Sequence, residues 1–359
     1  MPAAFLILED KTVFCGNSIG AEKEVICEMV FNTAMTGYQE ALTDPSYAGQ
    51  GLIMTFPLVG NYGVNNEDYE SRKVFISAFI VRELSKRDSN FRSEGTLQDF
   101  LVLHEIPGIE GIDTRALTKI LRTKGSMRGM ITCDPNYDVE SAVEKMKEHK
   151  MSGLVDMVST KTSYEMGEGD TVAVIDFGCK NNIAKSLIAK GFRVKIWRAD
   201  TAAEDIIASS PAAVVLTNGP GDPKDCAGIL DNIKKLYETD IPIFAVCLGH
   251  QLLALATGAD TKKLKYGHRG GNHPVKDIKT GRVYMTSQNH GYVVDEKSVD
   301  PKIAEVSHIN VNDNTVEGLT YMGKNIRSVQ FHPEGSPGPL DMDFLFGDFV
   351  EMIRGTKNA

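Results

Sequence analysis

The chain has 359 residues, 42% apolar and 24% charged, an ordinary balance for a globular protein and too long for one typical domain. Its formal net charge of -9 gives no global field that would hold nucleic acid or an anionic membrane. No apolar run reaches the roughly 18 residues of a membrane span.

The N-terminus, Met1 to Asp10, lacks a basic segment, and its short apolar run from Phe5 to Leu8 reads as a first strand rather than a leader. A cytoplasmic location is expected. Further apolar runs, 24–31, 51–56 and 74–81, are punctuated by Gly, Asn and Pro. Helical patterns follow at 96–104, at 113–125 with Asp113 as N-cap and a stop near Gly125, and at 139–150. Residues 1–150 therefore read as a mixed, strand-rich α+β domain. The polar stretch 151–170, with Gly167 and Gly169, reads as a linker.

From Thr171 the texture changes. Val172-Ala173-Val174-Ile175 is apolar throughout, as in a strand covered on both faces. Helix 181–190, strand 193–197, helix 203–208, strand 212–216, helix 229–238 and strand 241–246 then alternate. The expected fold of 171–359 is a flavodoxin-like α/β domain, a parallel sheet with helices on both faces and its ligand site at the strands' carboxyl ends. The segment Asp176-Phe177-Gly178-Cys179-Lys180 has one glycine where a dinucleotide fingerprint needs three, so that reading is rejected.

The six cysteines are scattered without a C-x-x-C pair. Cys15, Cys27, Cys133, Cys179 and Cys226 read as small apolar residues in a reducing compartment. Cys247 differs. It ends the apolar strand Ile243-Phe244-Ala245-Val246, and Leu248-Gly249-His250-Gln251 opens a helix at once. Small residues two places to either side, Ala245 and Gly249, permit a sharp strand-to-helix turn, the logic of a nucleophile elbow with sulfur as the nucleophile. The helix N-terminus favours a thiolate and offers the Leu248 N–H to an oxyanion; Gly219, in the loop Thr217-Asn218-Gly219-Pro220-Gly221, is the expected second donor.

A thiol nucleophile needs a base and an orienting group. Val329-Gln330-Phe331-His332-Pro333-Glu334 supplies both, with His332 as base and Glu334 as orienter. Each feature alone has an ordinary structural explanation: core cysteine, turn histidine, glycine turn. Their joint occurrence in one α/β half is what points to catalysis. His250 is expected to pack. His268, His273 and His290 match no common ligand spacing, and no metal is expected.

The Cys-Leu-Gly-His-Gln elbow and the later His-Pro-Glu resemble the class I (triad) glutamine amidotransferases over the whole second half, apart from Ala245, where that family often has glycine. Tyr266-Gly267-His268-Arg269-Gly270-Gly271-Asn272-His273-Pro274-Val275, Ser287-Gln288-Asn289-His290-Gly291-Tyr292 and, in the first half, Asn32-Thr33-Ala34-Met35-Thr36-Gly37-Tyr38-Gln39-Glu40 are similar to the small-subunit family of glutamine-hydrolysing carbamoyl-phosphate synthases. The resemblance implies a glutaminase acting through a thioester on Cys247, with ammonia passed to a large subunit that uses ATP and Mg and feeds arginine and pyrimidine biosynthesis. It implies glutamine contacts from Ser46, Gly219, Gly221, Leu248, Gln251, Asn289, Gly291 and Tyr292, the last where phenylalanine is common. It implies no cofactor in this subunit, docking through residues 1–150, and a heterodimer open to higher assembly. Three other readings stay open: another triad amidotransferase subunit, a non-catalytic docking or regulatory protein with this fold, or a free-standing glutaminase.

Overall fold

A computed structural model describes residues 2–357, which divide into two compact units between Ser152 and Gly153.

The first unit is built on seven strands: β1 (Ala3–Leu8), β2 (Val13–Gly20), β3 (Val25–Asn32), β4 (Gln50–Met54), β5 (Ala78–Ile80), β6 (Pro107–Glu110) and β7 (Met127–Thr132). They close into a barrel in the order β1-β2-β6-β5-β4-β3-β7. Pairing is parallel along β3-β4-β5-β6 and antiparallel elsewhere. Closure leaves no barrel edge exposed. Helices α1 (Tyr38–Thr43), α2 (Leu97–Leu103), α3 (Thr114–Lys124) and α4 (Val139–Glu148) accompany the barrel. Asp113 caps α3 by accepting from the Ala116 N–H at 2.9 Å, and Gly125 ends it at φ 104°. Ser46 lies in this unit, on a single 3-10 turn, where its N–H donates to Asp44 Oδ1 at 2.9 Å.

The second unit opens with two elements inside the stretch that reads from sequence as a linker: α5 (Leu154–Val158) and β8 (Tyr164–Met166). β8 pairs antiparallel with β10 (Arg193–Arg198), so this segment belongs to the sheet. With β9 (Thr171–Asp176), β11 (Ala213–Leu216), β12 (Ile243–Val246), β13 (Thr261–Asp277), β14 (Val283–Val294), β15 (Ala304–Asn310), β16 (Val316–Tyr321) and β17 (Ile326–Val329), it forms ten strands in the order β8-β10-β9-β11-β12-β17-β16-β15-β13-β14. The five strands from β10 to β17 in that order run parallel.

Alternate residues of the parallel strands serve different cores. Ala173, Ile175, Val214, Leu216, Ile243 and Ala245 join one buried cluster with α7 (Ala203–Ala208), α8 (Ala227–Glu238) and α9 (Leu248–Ala256). Val172, Val174, Ala213, Val215, Phe244 and Val246 join the other, with α6 (Asn181–Ala189) and α10 (Phe344–Lys357). Both sheet faces are thus covered, which explains why these strands read as continuous apolar runs. Among the described residues, no helix is long and apolar enough to cross a membrane.

Candidate active site

β12 and β17 are parallel neighbours in register, Val246 opposite Val329. Cys247 follows the first and His332 lies three residues past the second, so the sheet delivers both to its carboxyl edge. The Cys247 N–H donates to Val329 O at 2.8 Å, tying the thiol's own backbone to the histidine's strand.

Cys247 is the N-cap of α9, at φ 54° and ψ −105°. A non-glycine residue there stores about 1–3 kcal/mol of strain, retained only where the surroundings enforce it. What enforces it is contact. A Cβ on Gly249 would meet Leu216 O at 2.3 Å, so only glycine lets α9 start this close to β11. The Gly249 N–H donates to Thr217 O at 2.9 Å. In the same loop a Cβ on Gly219 would lie 2.3 Å from Phe177 O and 2.7 Å from Leu248 Cδ2. The glycine loop and the elbow are therefore packed together, and the first turn of α9 leaves the Leu248 N–H without an intrahelical acceptor. Gly221, at φ 91°, sits two residues further along that loop.

The His332 N–H donates to Ser287 O at 2.9 Å, and its Nδ1 lies 2.6 Å from Glu334 Oε1. That bond fixes Nδ1–H as the donor and leaves Nε2, buried on the far side of the ring, to the Cys247 thiol. Glu334 Oε1 also takes Lys180 Nζ at 3.0 Å, and Lys180 donates to Gly335 O at 2.6 Å. Burial opposes a charged imidazole, but the Glu334 carboxylate outweighs it and holds His332 up at about 10; Lys180 works against this and the Cys247 thiol assists it. Burial likewise opposes a charged Glu334, yet Lys180 and His332 hold it down near 2. The result is a buried ion cluster, Lys180–Glu334–His332, beside a thiol.

Asn289 and Gln251, of the second unit, lie near it. The Cys247 thiol faces Asn289 O at 3.8 Å. Gln251, one helical turn past the cysteine, donates from Nε2 to Tyr292 O at 2.8 Å and to Gln330 Oε1 at 2.9 Å. Gly291 lies between Asn289 and Tyr292 on β14. His250 points away from the thiol: it is fully buried, shares a 2.8 Å hydrogen bond with Ser328 Oγ, and burial pushes it down to about 3, so it is neutral.

Sequence reasoning missed Lys180, Gln330 and Ser287. Lys180 lies in the segment after β9 whose sequence suggests only a nucleotide loop; its place at a parallel strand's carboxyl end is the available signal.

A thiol strained onto a helix N-terminus, with an imidazole–carboxylate pair just past the adjacent parallel strand, is the arrangement of an amidotransferase domain, and the glutamine amidotransferase class-I family model matches residues 173–352. The family model of the carbamoyl-phosphate synthase small chain, CPSase domain, matches residues 6–131. Proteins named carbamoyl phosphate synthase small chain align along the whole length. The one from Clostridium perfringens is 49% identical over 97% of this chain and 99% of its own. Those from Listeria monocytogenes and Oceanobacillus iheyensis are 46% and 47% identical over 100% and 98% of this chain and 99% and 96% of theirs. The chain belongs to the carbamoyl-phosphate synthase small-chain family.

Proposed function

We propose that this chain hydrolyses L-glutamine to glutamate and ammonia through a thioester on Cys247, and that the ammonia passes to a large synthetase subunit. The observation that carries the reading is Cys247 at positive φ on the N-terminus of α9, next to the buried His332–Glu334 pair.

In this scheme one proton is shared between sulfur and His332 Nε2, and the raised affinity of the imidazole leaves sulfur as the nucleophile. Cys247 Sγ attacks the side-chain amide carbon. The oxyanion forms against the N–H groups of Leu248 and Gly219, each worth about 3 kcal/mol of transition-state stabilisation. His332 donates its proton to the amide nitrogen, the C–N bond breaks and ammonia leaves. Water then attacks the thioester while His332 takes its proton, and the C–S bond breaks to release glutamate. Glu334 holds the imidazole in the tautomer that serves both steps. Thiol, imidazole and backbone carry every step, so the half-reaction is written without a cofactor; ATP and Mg belong to the large subunit.

Asn289, Gly291 and Tyr292 are assigned to the α-amino and α-carboxylate end of glutamine, Gln251 to a side-chain contact with it, and Gly221 to the glycine loop's side of the pocket. Ser46 is assigned a contact from the first unit, residues 1–150 the docking of the large subunit, and the second unit a flavodoxin-like fold. The expected setting is cytoplasmic arginine and pyrimidine biosynthesis. The test is the complex of this chain with its large subunit. Cys247→Ser abolishes glutamine-dependent synthesis while added ammonia still supports it. Glutamine hydrolysis surviving in Cys247→Ser would refute the scheme.

A further inference from the structure

Away from the thiol, the antiparallel end of the sheet gathers three ligand-bearing side chains. His268 on β13 and His290 on β14 are cross-strand partners, and Glu317 comes from β16. One ligand atom from each lies within 4.8 Å of the others, and all three residues are buried, Glu317 completely. The sequence spacing of the histidines could not reveal this, because the third member arrives from another strand.

The hydrogen bonds set the chemistry. His268 Nε2 lies 2.9 Å from Asp313 Oδ2, so its N–H donates to a carboxylate. His290 Nδ1 lies 2.8 Å from Tyr292 O, so its N–H donates to a carbonyl. In a neutral ring this places the lone pair on the other nitrogen, His268 Nδ1, which lies 3.6 Å from Glu317 Oε1, and His290 Nε2. A remote N–H held by a carboxylate or carbonyl is how metal-binding histidines are oriented. His268 Nδ1 and Glu317 Oε2 have no hydrogen-bond partner. Asn310 Nδ2 holds the other carboxylate oxygen, Oε1, at 2.9 Å.

His290 Nε2 meets a conflict that a cation resolves. Gln288 Oε1 lies 3.0 Å from it. The amide cannot turn to offer N–H instead, because its Nε2 donates to Thr286 Oγ1 at 3.1 Å and that hydroxyl already donates to His273 O. With Nδ1–H on Tyr292 O, a neutral His290 therefore sets two lone pairs against each other at 3.0 Å, a repulsion that a cation on Nε2 removes.

We propose that His268, His290 and Glu317 bind a divalent transition-metal ion of the zinc class, which ties β13, β14 and β16 together. Two neutral imidazoles and one carboxylate suit zinc, whereas calcium and magnesium take oxygen ligands. The ion would be structural: it steadies the strand that carries Asn289 and Tyr292 and takes no part in thiol chemistry. This inference is independent of the glutaminase scheme. The rival arrangement is an imidazolium bridging the carboxylates.

The experiment uses the full-length chain carrying Cys247→Ser, which removes the thiol as a competing ligand. The protein is stripped with chelator, titrated with Zn²⁺ by calorimetry and loaded with Co²⁺ for absorption spectra. Expected are about one equivalent bound with Kd at or below roughly 1 µM, a four-coordinate cobalt spectrum, and a Tm that rises with metal. Glu317→Gln and His268→Gln weaken binding by more than the roughly 10- to 100-fold expected of Asp313→Asn. X-ray absorption of the zinc-loaded Cys247→Ser chain, free of further substitution, shows nitrogen and oxygen neighbours at about 2.0–2.2 Å. No uptake by the stripped chain, sulfur-dominated coordination, or equal affinity in a folded Glu317→Gln variant overturns the proposal in favour of the imidazolium.

Discussion

Lys180 Nζ sits 3.0 Å from Glu334 Oε1, with both side chains withdrawn from solvent. Lys180 follows β9 and Glu334 follows β17, so this contact joins the carboxyl ends of two strands that are not neighbours in the sheet. Glu334 thereby serves two cations, lysine on one side and the imidazole on the other.

Removing the lysine should expose that dependence. Lys180→Met leaves Glu334 buried with half its compensation, and breaking a buried pair costs about 3 kcal/mol. Urea denaturation should show a lower midpoint at an unchanged slope. Glutamine turnover should fall, because a less firmly ionised Glu334 orients His332 less well. Unchanged stability in Lys180→Met would mean that the lysine is redundant.

Stability should depend on pH in a defined way. His332 is raised from 6.5 to about 10, so its contribution is full below pH 6.5 and is lost as pH climbs through about 10. Glu334 is lowered from 4.5 to about 2, so its contribution is full above pH 4.5 and is lost as pH falls through about 2. Unfolding free energy measured against pH should decline on both flanks. Glu334→Gln should flatten both declines and reduce kcat by roughly 10²- to 10⁴-fold. A Glu334→Gln profile that keeps both flanks would assign them to other groups.

The elbow's strain can be read by comparing two inactive variants. Cys247→Ala keeps a Cβ at φ 54°, whereas Cys247→Gly relaxes it. The glycine variant should be the more stable of the two by about 1 kcal/mol, although glycine ordinarily costs stability. Equal or lower stability of Cys247→Gly would show that the backbone there carries no strain.

The sequence made the elbow legible because its signal is local: an apolar strand, a small residue, a cysteine and a glycine within five positions. His332 and Glu334 were legible for the same reason, as a short motif after a strand. Lys180 was not, since its partner lies 154 positions away and only the sheet order brings them together. The barrel of the first unit was read as strand-rich without its closure, because closure depends on β1 pairing with both β2 and β7. The stretch 151–170 reads as a linker because β8, Tyr164-Glu165-Met166, is three mostly exposed residues, too short for its alternation to stand out. Glu317 escaped notice because an acidic residue in an apolar strand signals nothing until its neighbours are known.

The hydrogen bond from Cys247 N–H to Val329 O carries a further implication for how such a chain can change over time. The spacing between thiol and imidazole is set by a ladder between β12 and β17, braced by Ser287 O on β14, which holds the His332 N–H at 2.9 Å. The turns of the intervening hairpins, away from Ser287, Asn289 and Tyr292, can lengthen, shorten or acquire new surface duties at little entropic cost. A single residue inserted within either strand, by contrast, would turn every later side chain to the opposite face. Variation is cheap in the long excursion and forbidden in eight short-strand positions, which lets one piece of chemistry be fitted to many different neighbours.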